Sequence, residues 1–289
     1  MNSIIYSNQK LLYDALYHAA SATLNELAKD AKYLGANIGY ICILHTWGSA
    51  MNYHPHIHTI VLGGGLDDEN KWKETGGKFF LPYGVISKVF RGKYLDELKS
   101  LWNDSKLKFH GTAEKYQNSY RFKELLDKCY EKNWVTYCKE TFNGAQSVIN
   151  YLGKYTHRIA ISNHRIKSMT DTTVTYVVKD YKNEGCWKEK TISGEEFIRR
   201  FMMHVPPKRF VRIRHYGLLS CRNKRKKITH CRNLLGCKKY ISTLKNLNAV
   251  EMIRVLYHID VCKCSSCGGN MVSPRKDKYS SSFRAHMRC

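Results

Sequence analysis

The chain has 289 residues, of which 43% are hydrophobic, so it is long and apolar enough to bury a core and is not globally disordered. Lysine and arginine number 48 against 24 acidic residues, a formal net charge of +24. The excess of positive charge, together with the 20 tyrosines, favours a nucleic-acid partner. Ribosome-associated proteins and proteins that bind acidic membranes share such a charge.

The 11 cysteines are odd in number and scattered along the chain. The first residues lack the basic segment and long apolar run of a secretion signal, and no stretch has the length and apolarity of a membrane span. These features predict reduced thiols or metal ligands in a cytoplasmic protein, and not a disulfide framework.

In chain order, apolar periodicity predicts helices over residues 8–32, 87–101, 119–132 and 144–156. Apolar and β-branched runs predict strands over 38–47, 54–62, 134–138 and 158–162, with a short edge strand over 79–83, which contains a proline. Three consecutive glycines, at 63–65, are expected to end the second strand. Because the first two strands are close in sequence, they are expected to pair antiparallel.

The second half of the chain has a different pattern. Segments 173–178 and 186–192 are expected to pair as a hairpin, and a basic strand is predicted over 208–216. Ser193 is expected to cap the intervening helix, with Glu196 completing a capping box.

The most informative motif is an alternation of histidines, His54, His56 and His58, at the start of the second strand. Residues two apart on a strand point to the same face, so the three imidazoles form a row while the intervening apolar residues face the helices. Neutral imidazoles in such a row are able to bind a divalent metal. The alternative, a histidine cluster on an exposed strand, accounts less well for the apolar strand end that follows.

A second motif places Tyr151 and Tyr155 four residues apart, on one face of a predicted helix. Lys154 and Arg158 lie close by, positioned to hold phosphate oxygens. Taken alone, such an aromatic pair is more typical of core packing. Together with the histidine row and the net charge, it favours a site where a phenol meets a phosphate.

These motifs carry a family resemblance. The segment 56–58 (HIH) resembles the HUH signature, two histidines around one hydrophobic residue. The block 151–165 (YLGKYTHRIAISNHR) resembles the tyrosine motif of the two-tyrosine rolling-circle transposases of bacterial insertion sequences. Segments 44–48 (LHTWG), 54–66 (HPHIHTIVLGGGL) and 212–219 (RIRHYGLL) support the match, which extends from about residue 8 to residue 272.

The resemblance implies an α+β fold with an antiparallel sheet of the ferredoxin-like or RRM-like HUH-endonuclease type. It implies that His56 and His58 hold Mg²⁺ or Mn²⁺, and that Tyr151 or Tyr155 attacks DNA to give a 5′-phosphotyrosine and a free 3′-hydroxyl. The order in which the two tyrosines act stays open. The implied partners are single-stranded transposon ends and target DNA, in the bacterial cytoplasm at the nucleoid.

The metal site needs a third protein ligand, because an oxygen-preferring ion takes more than two. His54, in register on the same strand, is the first candidate. His45 on the preceding strand and Gln146 on the tyrosine helix are alternatives, whereas Asp67 and Asp68 are expected to lie too far away.

Two further features are candidate binding sites. Cys264 and Cys267, with Cys262 nearby, resemble half of a zinc knuckle, and Cys289 or His286 is a candidate to complete it; a decayed or truncated site is an equally good interpretation. The cysteine-rich zinc domain that precedes the catalytic part in the resembled family is expected to be absent here.

The segment 208–232 is strongly basic. Arg212 and Arg214 share a predicted strand face with Phe210 and Tyr216, a layout suited to single-stranded DNA, and Arg209 is expected to contribute. A solvated basic face is the alternative.

We therefore predict a catalytic domain with the tyrosine helix over 1–168, a basic accessory DNA-binding region over 169–260 and a cysteine-containing tail over 261–289. The predicted function is a transposase that nicks and rejoins single-stranded DNA. A replication initiator or relaxase with the same chemistry is one rival, although no Walker sequence indicates a helicase. A catalytically inactive nucleic-acid-binding protein is the other.

Overall fold

The structure, a computed structural model, describes residues 1–76, 81–138, 147–148, 151–153, 160–180, 185–237, 244 and 246–271. It has two compact units, Met1–Leu234 and Leu235–Cys289. Helices and antiparallel sheets make up the first unit, which confirms the predicted α+β class. How the three predicted regions divide the function stays a prediction.

The strands are β1 (Asn37–Trp47), β2 (Tyr53–Leu66), β3 (Trp72–Glu74), β4 (Ile166–Met169), β5 (Thr173–Asp180), β6 (Cys186–Ser193) and β7 (Ile213–Gly217). The α-helices are α1 (Asn2–Ser7), α2 (Gln9–Lys29), α3 (Tyr83–Asn103), α4 (Ser119–Glu131), α5 (Gly194–Met202), α6 (Lys224–Leu234) and α7 (Ala249–Tyr257). Residues 147–148 and 151–153 are also helical, inside the helix predicted over 144–156.

The central sheet has the order β3-β2-β1-β7. On β1, alternate residues Ile38, Tyr40, Cys42 and Leu44 are buried in the core built with helices α1 to α4. Ile57 and Val61 of β2 pack against that same core, as their alternation with the histidines predicts. The opposite face of the sheet therefore carries the histidines.

Beyond the central sheet, β4, β5 and β6 form a second, three-stranded sheet. The predicted hairpin is its β5–β6 pair, which is antiparallel along its full length. Ser193 caps α5 by accepting a hydrogen bond from the Glu196 backbone N–H, as predicted. The Glu196 side chain pairs with two arginines of its own helix, Arg199 and Arg200.

Two local predictions are wrong, and two further predicted strands are not found in the residues that the structure describes. The triple glycine does not end β2, which continues to Leu66, because Gly64 and Gly65 lie so close to the neighbouring strands β3 and β1 that a side chain would collide with their backbone. Residues 134–138 form no strand; Trp134 instead packs on the aromatic rings of α3. In the strand predicted over 158–162, only 160–162 are described, and these are not strand. Of the predicted 79–83 strand, 81–82 are not strand and residue 83 begins α3.

Gly217 at the end of β7 permits the closest approach in the central sheet. Its φ is +59°, and a Cβ there would lie 1.9 Å from the Ile38 carbonyl oxygen. We expect Gly217→Ala to destabilise the protein by about 3 kcal/mol or more, since backbone strain and overpacking add. Gly111→Ala is the control, because Gly111 has φ +56° but open space around it, and about 1 kcal/mol is expected. Equal losses in urea unfolding would contradict the role of close packing.

Candidate metal and tyrosine site

The site begins with the histidines of β2. His56 and His58 are half-buried on the sheet face away from helices α1 to α4, and their Nε2 atoms are 3.0 Å apart. His45 of β1 joins them because the antiparallel register places it directly opposite His56. Ligand atoms of these three side chains all lie within 4.8 Å of one another. We call them the histidine triad.

His45 is the buried member of the triad, with 3% of its surface exposed. Its ring lies 4.3 Å from that of His58 and stacks on Trp47, with ring centroids 4.5 Å apart. His54, the first candidate for the third ligand, is exposed and is not a member of the group. The geometry thus favours the alternative, His45; which histidine completes the ligand set stays a prediction. Gln146 lies outside the described residues.

Hydrogen bonds fix the protonation pattern of the two β2 histidines. His56 Nδ1 lies 2.7 Å from the His54 carbonyl oxygen, which only accepts, so Nδ1 carries the proton and Nε2 presents a lone pair. Burial lowers the pKa of His56, and burial followed by the charge of His56 lowers the pKa of His58 to about 4. Both rings are therefore neutral near pH 7, the state in which imidazole binds metals.

Tyr151 reaches the triad from a segment far along the chain. Its hydroxyl lies 2.9 Å from His58 Nδ1. Because the Nε2 of His56 accepts in the metal-free protein, His58 Nε2 donates to it and His58 Nδ1 accepts from the Tyr151 hydroxyl. The phenol oxygen is thus held beside the triad by a direct hydrogen bond.

The triad fits a divalent cation by donor chemistry and spacing. Two imidazole nitrogens bound at right angles, each about 2.1 Å from one ion, are about 3 Å apart, and the Nε2 atoms of His56 and His58 are 3.0 Å apart. Three nitrogen donors suit Mn²⁺ better than Mg²⁺, which prefers oxygen ligands.

Several predicted site residues lie outside the described part of the chain. They are Lys154, Tyr155 and Arg158, together with Cys289 and His286. Their roles stay predictions.

The three arginines predicted to contact DNA differ in exposure and in the side chains that they contact. Arg209 is exposed. Arg214 lies on the helix side of the sheet, where it pairs with Asp14 and stacks 4.0 Å over the Tyr17 ring. Arg212 is half-buried, and burial lowers its pKa. Phe210, one of the two aromatic residues predicted to share a face with these arginines, packs against α2, where its ring contacts Tyr13 and Tyr17.

A cationic helix covers one end of the triad's sheet face. Cys231 of α6 packs with Leu66 and Leu218, and Leu62 of β2 lies against this cluster. Leu62 is four residues beyond His58 on the same strand, so the two side chains point to the same face of the sheet. The first turn of α6 is Lys-Arg-Lys-Lys, at 224–227, and has no acidic residue. Within the described residues, none of these four cations takes part in an ion pair.

The C-terminal unit contains the predicted knuckle. The Cys264 N–H donates to the Gly269 carbonyl, and the Gly268 N–H returns to the Cys264 carbonyl, at 2.8 and 2.9 Å. Backbone N–H groups of Cys267 and Ser266 lower the pKa of the Cys264 thiol. In the part of the chain that the structure describes, the histidine triad is the one metal-ligating cluster, so zinc at Cys262, Cys264 and Cys267 stays a prediction.

This arrangement of histidines and tyrosine lies within the region that matches a known protein family. A family model described as "Putative transposase" matches residues 39–227. The chain therefore belongs to this family of two-tyrosine transposases, of the IS801 type.

Two curated relatives support the assignment. The chain is 40% identical to "Putative transposase y4qJ" of Sinorhizobium fredii over 235 residues, 81% of this chain and 59% of that protein. It is 27% identical to the transposase for insertion sequence element IS801 of Pseudomonas savastanoi pv. phaseolicola, over 93% of this chain and 63% of that protein. The chain thus spans about three-fifths of the length of these relatives. No solved structure matches significantly.

Among the described residues, no helix combines the length and apolarity that crossing a membrane requires.

Proposed function

We propose that this chain nicks and rejoins single-stranded DNA during rolling-circle transposition, through a 5′-phosphotyrosine intermediate and in the bacterial cytoplasm. The observation that carries the proposal is the Tyr151 hydroxyl, held 2.9 Å from His58 Nδ1 at the edge of the histidine triad. A nucleophile hydrogen-bonded beside a potential metal site is the arrangement that phosphoryl transfer to tyrosine requires.

The triad would hold Mn²⁺ or Mg²⁺ through His45, His56 and His58. Such an ion, when bound, polarises a phosphate and neutralises its developing charge. The protein's own contribution is to fix the donors: the His54 carbonyl orients the His56 ring, and stacking on Trp47 orients His45.

In the proposed step, the Tyr151 oxygen forms a bond to phosphorus while the bond from phosphorus to the 3′ oxygen breaks. The phenol loses its proton and the leaving 3′ oxygen gains one. Because the phosphodiester is conserved in the tyrosine link, attack by a 3′-hydroxyl reverses the step without a nucleotide cofactor. Tyr155 is proposed as the second nucleophile.

The charge distribution supports DNA as the partner. The cations at 224–227, which form no ion pair within the described residues, belong to a helix that packs at one end of the sheet face that carries the triad, and burial together with the charge of Lys224 lowers the pKa of His215 on the same face. A DNA strand that runs along this face from the triad would therefore meet cations for its phosphates.

The test is covalent capture. A labelled single-stranded oligonucleotide containing the transposon end, incubated with the protein and Mn²⁺, should give a protein–DNA adduct that survives denaturation and is lost with EDTA. Peptide mapping should locate the phosphate on tyrosine. Specific DNA binding with no adduct under any metal would favour the inactive DNA-binding protein instead.

The cations of α6 should dominate the salt dependence of DNA binding. We expect the double change Lys224→Gln/Lys226→Gln to reduce the slope of log affinity against log salt by about 1 to 2, because each phosphate contact releases about one counterion. Lys99→Gln/Lys123→Gln is the matched control, since these exposed lysines lie on α3 and α4 of the opposite layer. Equal slopes for the two double variants would exclude α6 from the DNA interface.

A further inference from the structure

The second sheet makes an unusual set of contacts with one short segment of the central sheet, the 48–52 turn between β1 and β2. Every carbonyl from Ser49 to Met51 accepts a hydrogen bond from β5, α5 or residues adjoining the second sheet. Arg165 donates to Ser49, Arg200 donates to Ala50 at 3.1 Å, and the Tyr176 hydroxyl donates to Ala50 at 3.3 Å. The Lys179 N–H also donates to the Ser49 hydroxyl, at 2.6 Å.

His204, just after α5, completes this set. It is 2% exposed, with Nε2 3.1 Å from the Met51 carbonyl oxygen and Nδ1 3.2 Å from the Thr46 hydroxyl. The carbonyl only accepts, so Nε2 carries the proton; in the neutral ring Nδ1 then accepts from Thr46. One buried side chain thus ties the turn, through Met51, and strand β1, through Thr46, to the end of α5.

Met51 shows that the turn conformation depends on these contacts. Its φ is +54°, a left-handed conformation that a side-chain-bearing residue seldom adopts. Its side chain is fully buried in the core of the second sheet, together with Tyr176 and Val178. Burial in that core compensates for backbone strain that the turn alone would not sustain.

The turn lies between the two strands that supply the triad. Before it come His45 and Trp47, whose rings stack, and after it come His54 and His56. A shift of the turn would change both the pairing of His45 with His56 and the position of Trp47 against His45. Positional errors of this kind weaken metal binding, because ligands must be held within a fraction of an ångström.

We propose that the second sheet is a positioning device for the metal site: Arg200 and His204 hold the 48–52 turn so that Trp47 supports His45 and the three triad ligands converge. This inference rests on the proposed metal site at the triad. Arg200 and His204 act through the turn and the residues beside it, and not by touching DNA or metal.

The test compares two positioning variants, His204→Ala and Arg200→Met, with a control that is buried in the second sheet. Val174→Ala is that control, because Val174 is 8% exposed on β5 but is not part of the cluster around Met51. His204→Gln is the conservative variant, since its amide N–H can still reach the Met51 carbonyl. For the unchanged chain and each variant, Mn²⁺ affinity is measured by calorimetry and amide exchange of the turn is measured without metal.

We expect His204→Ala and Arg200→Met to weaken Mn²⁺ binding about 10- to 100-fold, as loss of a ligand-orienting contact does. The turn amides of Gly48 and Met51, both hydrogen-bonded within the turn, should exchange faster in the metal-free variants. His204→Gln should recover most of the affinity, and Val174→Ala should keep it despite a lower Tm.

Two results would overturn the proposal: unchanged turn exchange in His204→Ala, or a loss of affinity in Val174→Ala that matches the loss in His204→Ala. Absence of Mn²⁺ binding by the unchanged protein would reject the metal site instead. In that case the exchange measurement still decides whether the second sheet holds the turn.

Discussion

Tyr151→Phe is expected to lower the yield of the protein–DNA adduct by more than about a thousand-fold for the strand that Tyr151 attacks. The change removes one oxygen, the proposed nucleophile, and losing a nucleophile has effects at least this large in other enzymes. The position of His58 should be unchanged, because a phenylalanine ring fills the same space beside it. Adduct yield is measured with a labelled oligonucleotide and Mn²⁺ in denaturing gels.

Two comparisons make this result specific. Tyr120→Phe, at a tyrosine that is 72% exposed on α4, should leave the yield unchanged. Mn²⁺ affinity should survive Tyr151→Phe, so that a loss of adduct reports chemistry and not metal binding. The double change Tyr151→Phe/Tyr155→Phe should remove the adduct from both strands. An undiminished adduct in the double variant would refute nucleophilic catalysis by these tyrosines.

His45→Ala is expected to lower Mn²⁺ affinity by at least about a hundred-fold, because loss of a direct ligand exceeds the 10- to 100-fold effect of losing an orienting partner. Calorimetry on the metal-free protein measures this directly. His45 is buried, so circular dichroism and Tm are needed to show that the variant folds. His45→Gln, which keeps a polar side chain in the same space, serves as a second variant.

His54→Ala separates the two candidate ligand sets. It removes the exposed His54 ring but retains the backbone carbonyl that orients His56. We therefore expect a change in affinity below about tenfold, smaller than that of an orienting contact. If His54→Ala abolished binding while His45→Ala did not, the third ligand would be His54, as its alternation along β2 first indicates.

The sequence predicted those features that depend on local patterns. Alternation along β2 placed His56 and His58 on one face, because strand geometry has a period of two. Apolar spacing located helices α2, α3 and α4 to within a few residues. The β5–β6 hairpin and the Ser193 cap followed from short-range signals in the same way.

Contacts between segments that are distant along the chain were harder to predict from the sequence. Strand β7 joins the central sheet beside β1, although about 170 residues separate the two along the chain. Residues 134–138 have strand-like composition but form no strand, since Trp134 packs against the aromatic rings of α3. In β2, the three glycines predict a strand end because composition does not reveal that the neighbouring strands approach too closely for a side chain.

What the sequence determined by itself is therefore the chemistry available: three alternating imidazoles, a tyrosine pair and a large excess of cations, in a pattern that belongs to one transposase family. Only the tertiary structure decided which of these groups meet. The register of β1 against β2 brought His45 to the triad, and long-range packing brought the Tyr151 hydroxyl to His58. Register and packing depend on the free energy of the whole core, which no local pattern contains.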